Sequence, residues 1–164
     1  MTNWLGDIVE KHLEYTDTVL DLGCGIMQAT DDMKCYVIVG VDIWDRYLDY
    51  TKTVWPTVKL DMSETDRFMD ESYDVVICLD VVEHLDKELA LKVLDECKRI
   101  CRKKAIIYTP DKFFDNHQKD EGAWGMGDNP LQNHKCLILK QELEQRGYIV
   151  TNPIAEGWLG VYTR

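Results

Sequence analysis

The chain has 164 residues, of which 45% are hydrophobic and 30% charged, and its formal net charge is −11. This length predicts one globular domain with a sizeable core, and the acidic balance argues against a nucleic-acid backbone as the main partner. No apolar stretch approaches the roughly 18 residues of a membrane span, and the N-terminus lacks the basic and apolar blocks of a signal peptide. We therefore expect a cytoplasmic protein with no membrane partner.

Apolar runs alternate with helical patterns along the chain. The predicted elements, in order, are a helix starting at residue 4, a strand at 18–22, a short helix at 28–34, a strand at 36–41, a helix at 45–54, strands at 57–60 and 73–79, a helix at 87–100, a strand at 104–109, a helix at 139–146 and strands at 148–151 and 159–163. Strand and helix in repetition predict parallel β-α-β units. The strands are continuous apolar runs, which is typical of a sheet covered by helices on both faces.

The rhythm breaks over residues 110–134, which carry glycines, acids and aromatic residues without a clear period. A connection this long in a compact domain is usually functional or disordered. We interpret it as a long loop on the substrate side of a single domain that comprises residues 1–164.

Six cysteines are scattered along the chain, with no C-x-x-C pair and no zinc-like cysteine and histidine spacing. Cys97 and Cys101 are four residues apart on a predicted helix, so they are expected to share its buried side. The sequence therefore predicts no metal site.

Small residues and acids follow the first predicted strands. In "LDLGCG", Asp21 ends the strand, and Gly23 and Gly25 allow the chain to turn tightly and approach a ligand. Asp42 follows the second strand 21 residues later, close to the spacing at which an acid reaches the ribose hydroxyls of a nucleotide, and Asp61 follows the third. In an open α/β sheet these strand ends meet at one edge, where ligands bind. The pattern predicts a nucleoside site.

The type of nucleoside follows from what the first turn lacks. A dinucleotide loop has the pattern G-x-G-x-x-G/A, whereas Gln28 holds the sixth position here. Asp21 would lie where a phosphate would be, and a carboxylate suits an ammonium or sulfonium cation better. This favours S-adenosylmethionine (SAM). An NAD-dependent oxidoreductase is the weaker alternative.

These segments resemble the class I SAM-dependent methyltransferases, over nearly the whole chain. "VLDLGCG" (19–25) is similar to their first motif, "VGVDI" (39–43) to the second, "LDM" (60–62) to the adenine segment and "YDVVICLDVVEHLDKE" (73–88) to the fourth strand with its loop. Residues 127–150 are similar to a segment of a bacterial, mostly uncharacterised subgroup.

The resemblance implies a doubly wound, mostly parallel, seven-stranded Rossmann-like sheet with helices on both faces and an antiparallel last strand. It also implies SAM as cofactor and S-adenosylhomocysteine (SAH) as product. The implied cofactor-binding residues are Asp21, Gly23, Cys24, Gly25, Met27, Asp42, Ile43, Asp61, Met62, Leu79 and Asp80. Met27 departs from the family, which usually has glycine there, and we interpret its side chain as an apolar wall beside the methionyl chain.

Candidates for catalysis lie after the fourth and fifth strands. His134, His84 and Asp111 are candidate bases or substrate-orienting residues, and His117 and Trp124 join His134 as candidates for the substrate side. Each has a structural alternative, since His84 is also expected to pack below the cofactor and His134 to pin the loop to the final helix.

The leading hypothesis is a SAM-dependent methyltransferase (EC 2.1.1.-) that acts on a small molecule, glycan or metabolite. The alternative is a catalytically inactive, methyltransferase-like SAM-binding module that acts with a partner protein. A homo-oligomer or a partner chain fits either hypothesis.

Overall fold

The computed structural model of the protein describes residues 3–51, 53–115, 129–154 and 156–164. The helices are α1 (Trp4–Glu10), α2 (Asp45–Tyr50), α3 (Lys87–Ile100) and α4 (Lys140–Glu144). The strands are β1 (Thr18–Leu22), β2 (Val37–Asp42), β3 (Thr57–Lys59), β4 (Tyr73–Leu79), β5 (Cys101–Pro110), β6 (Ile149–Thr151) and β7 (Gly157–Thr163). None of the helices in these ranges has the length and apolar character that crossing a bilayer requires.

The seven strands form one sheet in the order β3-β2-β1-β4-β5-β7-β6. Strands β1 to β5 pair in parallel, and β7 runs antiparallel to both β5 and β6. The predicted mostly parallel sheet with an antiparallel last strand is confirmed. The strand order reverses between β1 and β4, and in open α/β sheets a ligand crevice lies outside the carboxyl ends of strands at such a point.

Two apolar clusters cover the two faces of the sheet. On one face, α3 contributes Val93 and Leu94, and α4 contributes Leu143. On the other face, α1 contributes Leu5 and Val9. All five side chains are buried, so helices cover both faces as expected.

The predicted helix over residues 28–34 is instead a series of turns. The backbone N–H groups of Thr30 and Asp31 both donate to the carbonyl of Met27, and that of Met33 donates to the carbonyl of Thr30, so single turns follow one another without a run of helical hydrogen bonds. The Thr30 hydroxyl donates to Asp21, and the Asp31 carbonyl accepts from the indole of Trp55. In a regular helix the Asp31 carbonyl would accept from the backbone N–H four residues further on, whereas here it accepts from a distant indole.

Several element ends also differ from the predicted ones, two of them by three residues or more. Helix α2 ends at Tyr50 rather than at residue 54, because Thr51 has an extended ψ of 132° and its hydroxyl donates to the carbonyl of Ile26. Strand β5 begins at Cys101, directly after α3 and three residues before its predicted start.

Arg99 on α3 holds the segment that connects β3 to β4. Its guanidinium donates to the carbonyls of Thr65 and Phe68, and it forms ion pairs with Asp70 and Glu96. The segment includes the short 3-10 helix Met62–Arg67, which begins directly after Asp61. Arg99 thereby holds in place the segment that follows Asp61, a residue in one wall of the candidate site described below.

Candidate functional site

A cavity of about 670 Å³ lies at the carboxyl edge of the parallel strands. Its volume is in the range of about 300–1,000 Å³ that is typical of small-molecule sites. Four carboxylates from successive strands line it, namely Asp21, Asp42, Asp61 and Asp80. The structure thus brings together the acids that the sequence placed at the ends of β1 to β4.

The turn after β1 is clamped onto the end of β2. The backbone N–H groups of Gly23 and Cys24 donate to the carbonyl of Val41, at 2.7 and 2.9 Å. Gly23 has a φ of +79°, and a Cβ atom built there would lie 2.3 Å from a methyl carbon of Val81. Glycine is therefore required at this position for two reasons, the left-handed backbone and the close approach of the loop that carries Val81.

Asp42 is held by two backbone donors. Its Oδ1 accepts from the N–H of Trp44 at 2.8 Å, and its Oδ2 accepts from the N–H of Gly25 at 2.9 Å. Burial raises the pKa of this carboxyl, and the backbone hydrogen bonds oppose that shift. Because an ionised carboxylate has about four acceptor sites, each oxygen keeps capacity for a ligand hydroxyl from the cavity.

Asp21 is 3% exposed and accepts a hydrogen bond from the Thr30 hydroxyl at 2.8 Å. Burial raises the pKa of Asp21 to about 7, the Thr30 hydrogen bond opposes the shift, and the charge of Asp42 adds to it. Since two carboxylates share this poorly solvated edge, a cationic group in the cavity would favour the ionised form of Asp21.

Met27 lies outside the cavity, contrary to the expected apolar wall beside a cofactor. Its side chain is fully buried within the cluster that contains Ile38 and Met33. A Cβ atom on Gly40 of β2 would lie 2.9 Å from the Met27 sulfur, so the missing side chain of Gly40 makes the space that Met27 fills. Met27 has the left-handed φ of +59° that glycine would adopt freely. The first turn is therefore open on its ligand side.

All of the remaining predicted cofactor residues contribute to the wall of the cavity. Asp61 accepts from the backbone N–H of Ser63 at 2.8 Å, and hydrogen bonds with Ser63 lower the pKa of its carboxyl. Asp80 has a φ of +54°. Desolvation of its carboxyl by the surrounding protein raises the pKa to about 6. The other predicted cofactor residues that line the cavity are Gly23, Cys24, Gly25, Ile43, Met62 and Leu79.

The candidate catalytic residues divide into three groups. His84 and His134 both line the cavity, and their rings meet edge to face with centroids 4.9 Å apart. Asp111 is not among the residues that line it. His117 and Trp124 lie outside the described residues. Burial, together with His134, lowers the pKa of His84 to about 4, so His84 is neutral near pH 7.

Glu83 is a site residue that the sequence reasoning did not select. Its carboxyl is 3% exposed and accepts a hydrogen bond from the Thr109 hydroxyl of β5 at 3.1 Å. Burial and the charge of Asp80 raise the pKa of Glu83 to about 8. The available signal was an acid between Asp80 and His84 in a loop that directly follows a buried strand.

Helix α1 and the segment after residue 129 supply other wall residues that no motif indicated. Asn3 and Trp4 line the cavity from the start of α1, and Trp4 packs edge to face on Tyr108 with centroids 5.3 Å apart. Asn129 and Lys135 line it from the other side. Their roles depend on where distant segments pack, which a local pattern does not encode.

The family comparison matches residues 20–109, more than half of the chain, to the family described as "Methyltransferase domain". No curated protein matches the sequence at a significant level.

Solved structures share the fold. The PH0226 protein of Pyrococcus horikoshii OT3 is 19% identical, with a TM-score of 0.69 over 97% of this chain and 87% of that one. A SAM-dependent methyltransferase from Archaeoglobus fulgidus is 16% identical, with a TM-score of 0.67 over 99% and 95%. Magnesium protoporphyrin IX methyltransferase from Synechocystis PCC 6803, crystallised with bound SAH, is 17% identical, with a TM-score of 0.70 over 99% and 83%.

The matched segment of 20–109 begins inside β1 and ends in β5, so it includes the glycine turn and the strand ends that carry the four acids. The sheet order, the antiparallel last strand and the family match agree with one another. The chain belongs to the methyltransferase-domain family, within the class I SAM-dependent methyltransferases.

Proposed function

We propose that this chain, acting as a single domain, binds SAM and transfers its methyl group to a small-molecule acceptor, such as a metabolite or glycan, with SAH as product. The observation that carries the proposal is the arrangement of Asp21, Asp42 and the Gly23–Gly25 turn along one wall of the cavity. The net charge of −11 supports a small acceptor over a polyanionic one.

The residues of the cavity fit the chemical groups of SAM. The close approach of Val81 to Gly23 leaves no room for a side chain at the turn, and backbone lies next to the cavity there. Asp42 is placed to accept from the ribose hydroxyls, and Asp61 to accept from the adenine amine. Asp21 is placed to face the methionyl ammonium. The positive charge of that ammonium would compensate the buried Asp21 carboxylate for the water that it has lost.

When bound, SAM supplies an electrophilic methyl group on a positively charged sulfur. The protein's contribution is to align the acceptor with that methyl group and to exclude water. We assign the acceptor end of the cavity to Glu83, His84 and His134, which lie beyond the turn that carries Asp80. The neutral imidazole of His84 and its neighbour His134 are placed to orient an acceptor hydroxyl or amine.

Calorimetric titration of the purified chain with SAM and SAH tests the cofactor proposal. We expect the variant Asp42→Ala to bind SAM at least about tenfold more weakly, because hydrogen bonds to a charged acceptor contribute about 1.5–3 kcal/mol each. Asp42→Asn keeps the shape of the side chain and one acceptor oxygen. Because it disturbs the packing least, weaker SAM binding by this variant would reflect lost ligand contacts and not lost folding. Asp45→Ala is the matched control, since Asp45 is an exposed acid three residues away that pairs with Lys59 outside the cavity.

No SAM binding at millimolar concentration by the folded chain would refute the cofactor proposal. Equal losses in Asp42→Ala and Asp45→Ala would refute the assignment of Asp42. Formation of SAH with a panel of hydroxyl, amine and thiol acceptors tests turnover. Tight SAM binding without SAH formation across the panel would favour the inactive module that acts with a partner.

A further inference from the structure

We propose that Glu83, His84 and His134 bind a divalent transition-metal ion at the acceptor end of the cavity. One ligand atom from each of these residues lies within 4.8 Å of the other two. The sequence predicted no metal site, because the three residues are not spaced as any common metal motif. Tertiary packing alone brings His134 beside a pair that is adjacent in the chain.

The spacing of the donors is close to that of a metal site. Around an ion with bonds of about 2.0–2.2 Å, neighbouring donors lie about 3–3.5 Å apart. The Oε1 atom of Glu83 and the Nε2 atom of His84 are 4.0 Å apart, and the His84 and His134 ring centroids are 4.9 Å apart. All three donor atoms lie within 4.8 Å of one another. Side-chain rotations that shorten the donor–donor distances by about 0.5–1.5 Å would complete a three-donor site of the kind that holds a tetrahedral ion.

The backbone fixes the relative position of the two segments that carry the donors. The carbonyl of Glu83 accepts from the N–H of Lys135 at 2.8 Å and from the N–H of Cys136 at 3.1 Å. The residue before this pair is His134, so the hydrogen bonds hold its imidazole against the 83–84 turn. Two segments about 50 residues apart are thus joined at the donors themselves.

Groups around the donors resemble the outer shell of a metal site. The Thr109 hydroxyl donates to Oε2 of Glu83 at 3.1 Å, which orients the carboxylate and leaves Oε1 toward His84. Such second partners usually fix metal-ligating carboxylates. Asp80 interacts electrostatically with Glu83 and adds negative charge beside the donors.

The donor set indicates which ions fit. Two imidazoles and one carboxylate suit zinc, iron, manganese or cobalt better than calcium, which prefers oxygen ligands. Three protein donors leave at least one coordination position for a ligand from the cavity. If the proposed methyltransferase activity holds, that position would bind an oxygen of the acceptor. The class of acceptor would then be one with a hydroxyl or carboxylate near the methylated atom.

Cobalt(II) and zinc(II) titrations of the chelator-treated full chain, without SAM, test the proposal. We expect one equivalent of ion per chain and a visible cobalt spectrum without thiolate charge-transfer bands, which excludes the six free cysteines as ligands. His134→Ala and Glu83→Gln should each weaken binding by more than about tenfold, because each removes a ligand. His12→Ala is the control, since His12 is half-buried and outside the cavity.

Thr109→Val removes the hydroxyl and keeps the shape of the side chain. We expect this variant to weaken cobalt binding by about 10-fold and to alter the cobalt spectrum, because the Glu83 carboxylate would lose the hydroxyl that orients it. No binding to the folded chain at micromolar concentration, or equal binding by His134→Ala and His12→Ala, would overturn the proposal. The metal titration needs no SAM, so its failure is distinguishable from failure of the cofactor titration.

Discussion

Replacement of Met27 by alanine and by glycine tests the strain and packing at the first turn. Met27 is fully buried and has a φ of +59°. Truncation of a buried methionine to alanine costs about 2–5 kcal/mol. A left-handed backbone costs a residue with a Cβ atom about 1–2 kcal/mol, and glycine escapes that cost.

Met33 supplies the matched comparison, because it is 5% exposed, belongs to the same apolar cluster and is not among the residues with positive φ. There, glycine should be less stable than alanine by about 1–2 kcal/mol, from one more lost methyl group and a more flexible unfolded chain. At Met27 the relief of strain offsets these losses, so the alanine and glycine variants should be nearly equal in stability.

Urea unfolding followed by tryptophan fluorescence measures all four variants, and thermal unfolding gives a second readout at about 2–4 °C per kcal/mol for this chain length. A glycine penalty at Met27 as large as the one at Met33 would refute the strained left-handed turn. Calorimetry with SAM provides an independent check. Because the Met27 side chain lies outside the cavity, the folded alanine variant should bind SAM within a few-fold of the parent chain.

Three further predictions concern the same edge of the sheet. SAM binding should tighten about fivefold between pH 6 and pH 7, because only ionised Asp21 attracts the ammonium and its pKa is about 7. Asp21→Asn should flatten that dependence in calorimetric titrations. A raised carboxyl pKa also means that the folded state binds the proton more tightly than the unfolded state. The contribution of Asp21 to the free energy of unfolding without ligand should therefore fall as pH rises from about 4 through 7. Urea unfolding over this pH range measures it by comparison with Asp21→Asn, and a contribution that rises with pH would contradict the burial of Asp21. Gly23→Ala should lower both stability and SAM affinity, because the new Cβ atom would lie 2.3 Å from Val81. Unchanged melting and binding in that variant would contradict the close packing of the two loops.

Local patterns were sufficient for the elements that bury a continuous apolar surface. Strands β1 and β4 and helix α3 have the bounds that the sequence predicts. Helix α3 buries Val93, Leu94 and Cys97 at helical spacing, and β1 and β4 are buried almost continuously, as strands of a sheet covered on both faces are, so the pattern and the packing agree. The glycine turn and the acids at the strand ends could be predicted for a related reason. Parallel strands bring their carboxyl ends to one edge, whichever residues follow.

The prediction from local sequence pattern was wrong where polar groups form hydrogen bonds with residues far away in the chain. Residues 28–34 have helical spacing, yet Thr30 and Asp31 bond to Asp21 and Trp55 instead. The orientation of Met27 depended on Gly40, thirteen residues away on β2, which leaves the space for its side chain. No rule that uses only the turn sequence contains that information.

The sequence by itself determined the class of fold, the edge of the sheet that carries the candidate site and the family, because these follow from periodicity and from the order of motifs. Only the tertiary structure decided that Met27 lies in the core and that Glu83, His84 and His134 meet in one wall of the cavity. The physical reason is the range of the interactions. Backbone period and strand direction are local properties, whereas the meeting of His134 with Glu83 depends on hydrogen bonds between segments about 50 residues apart.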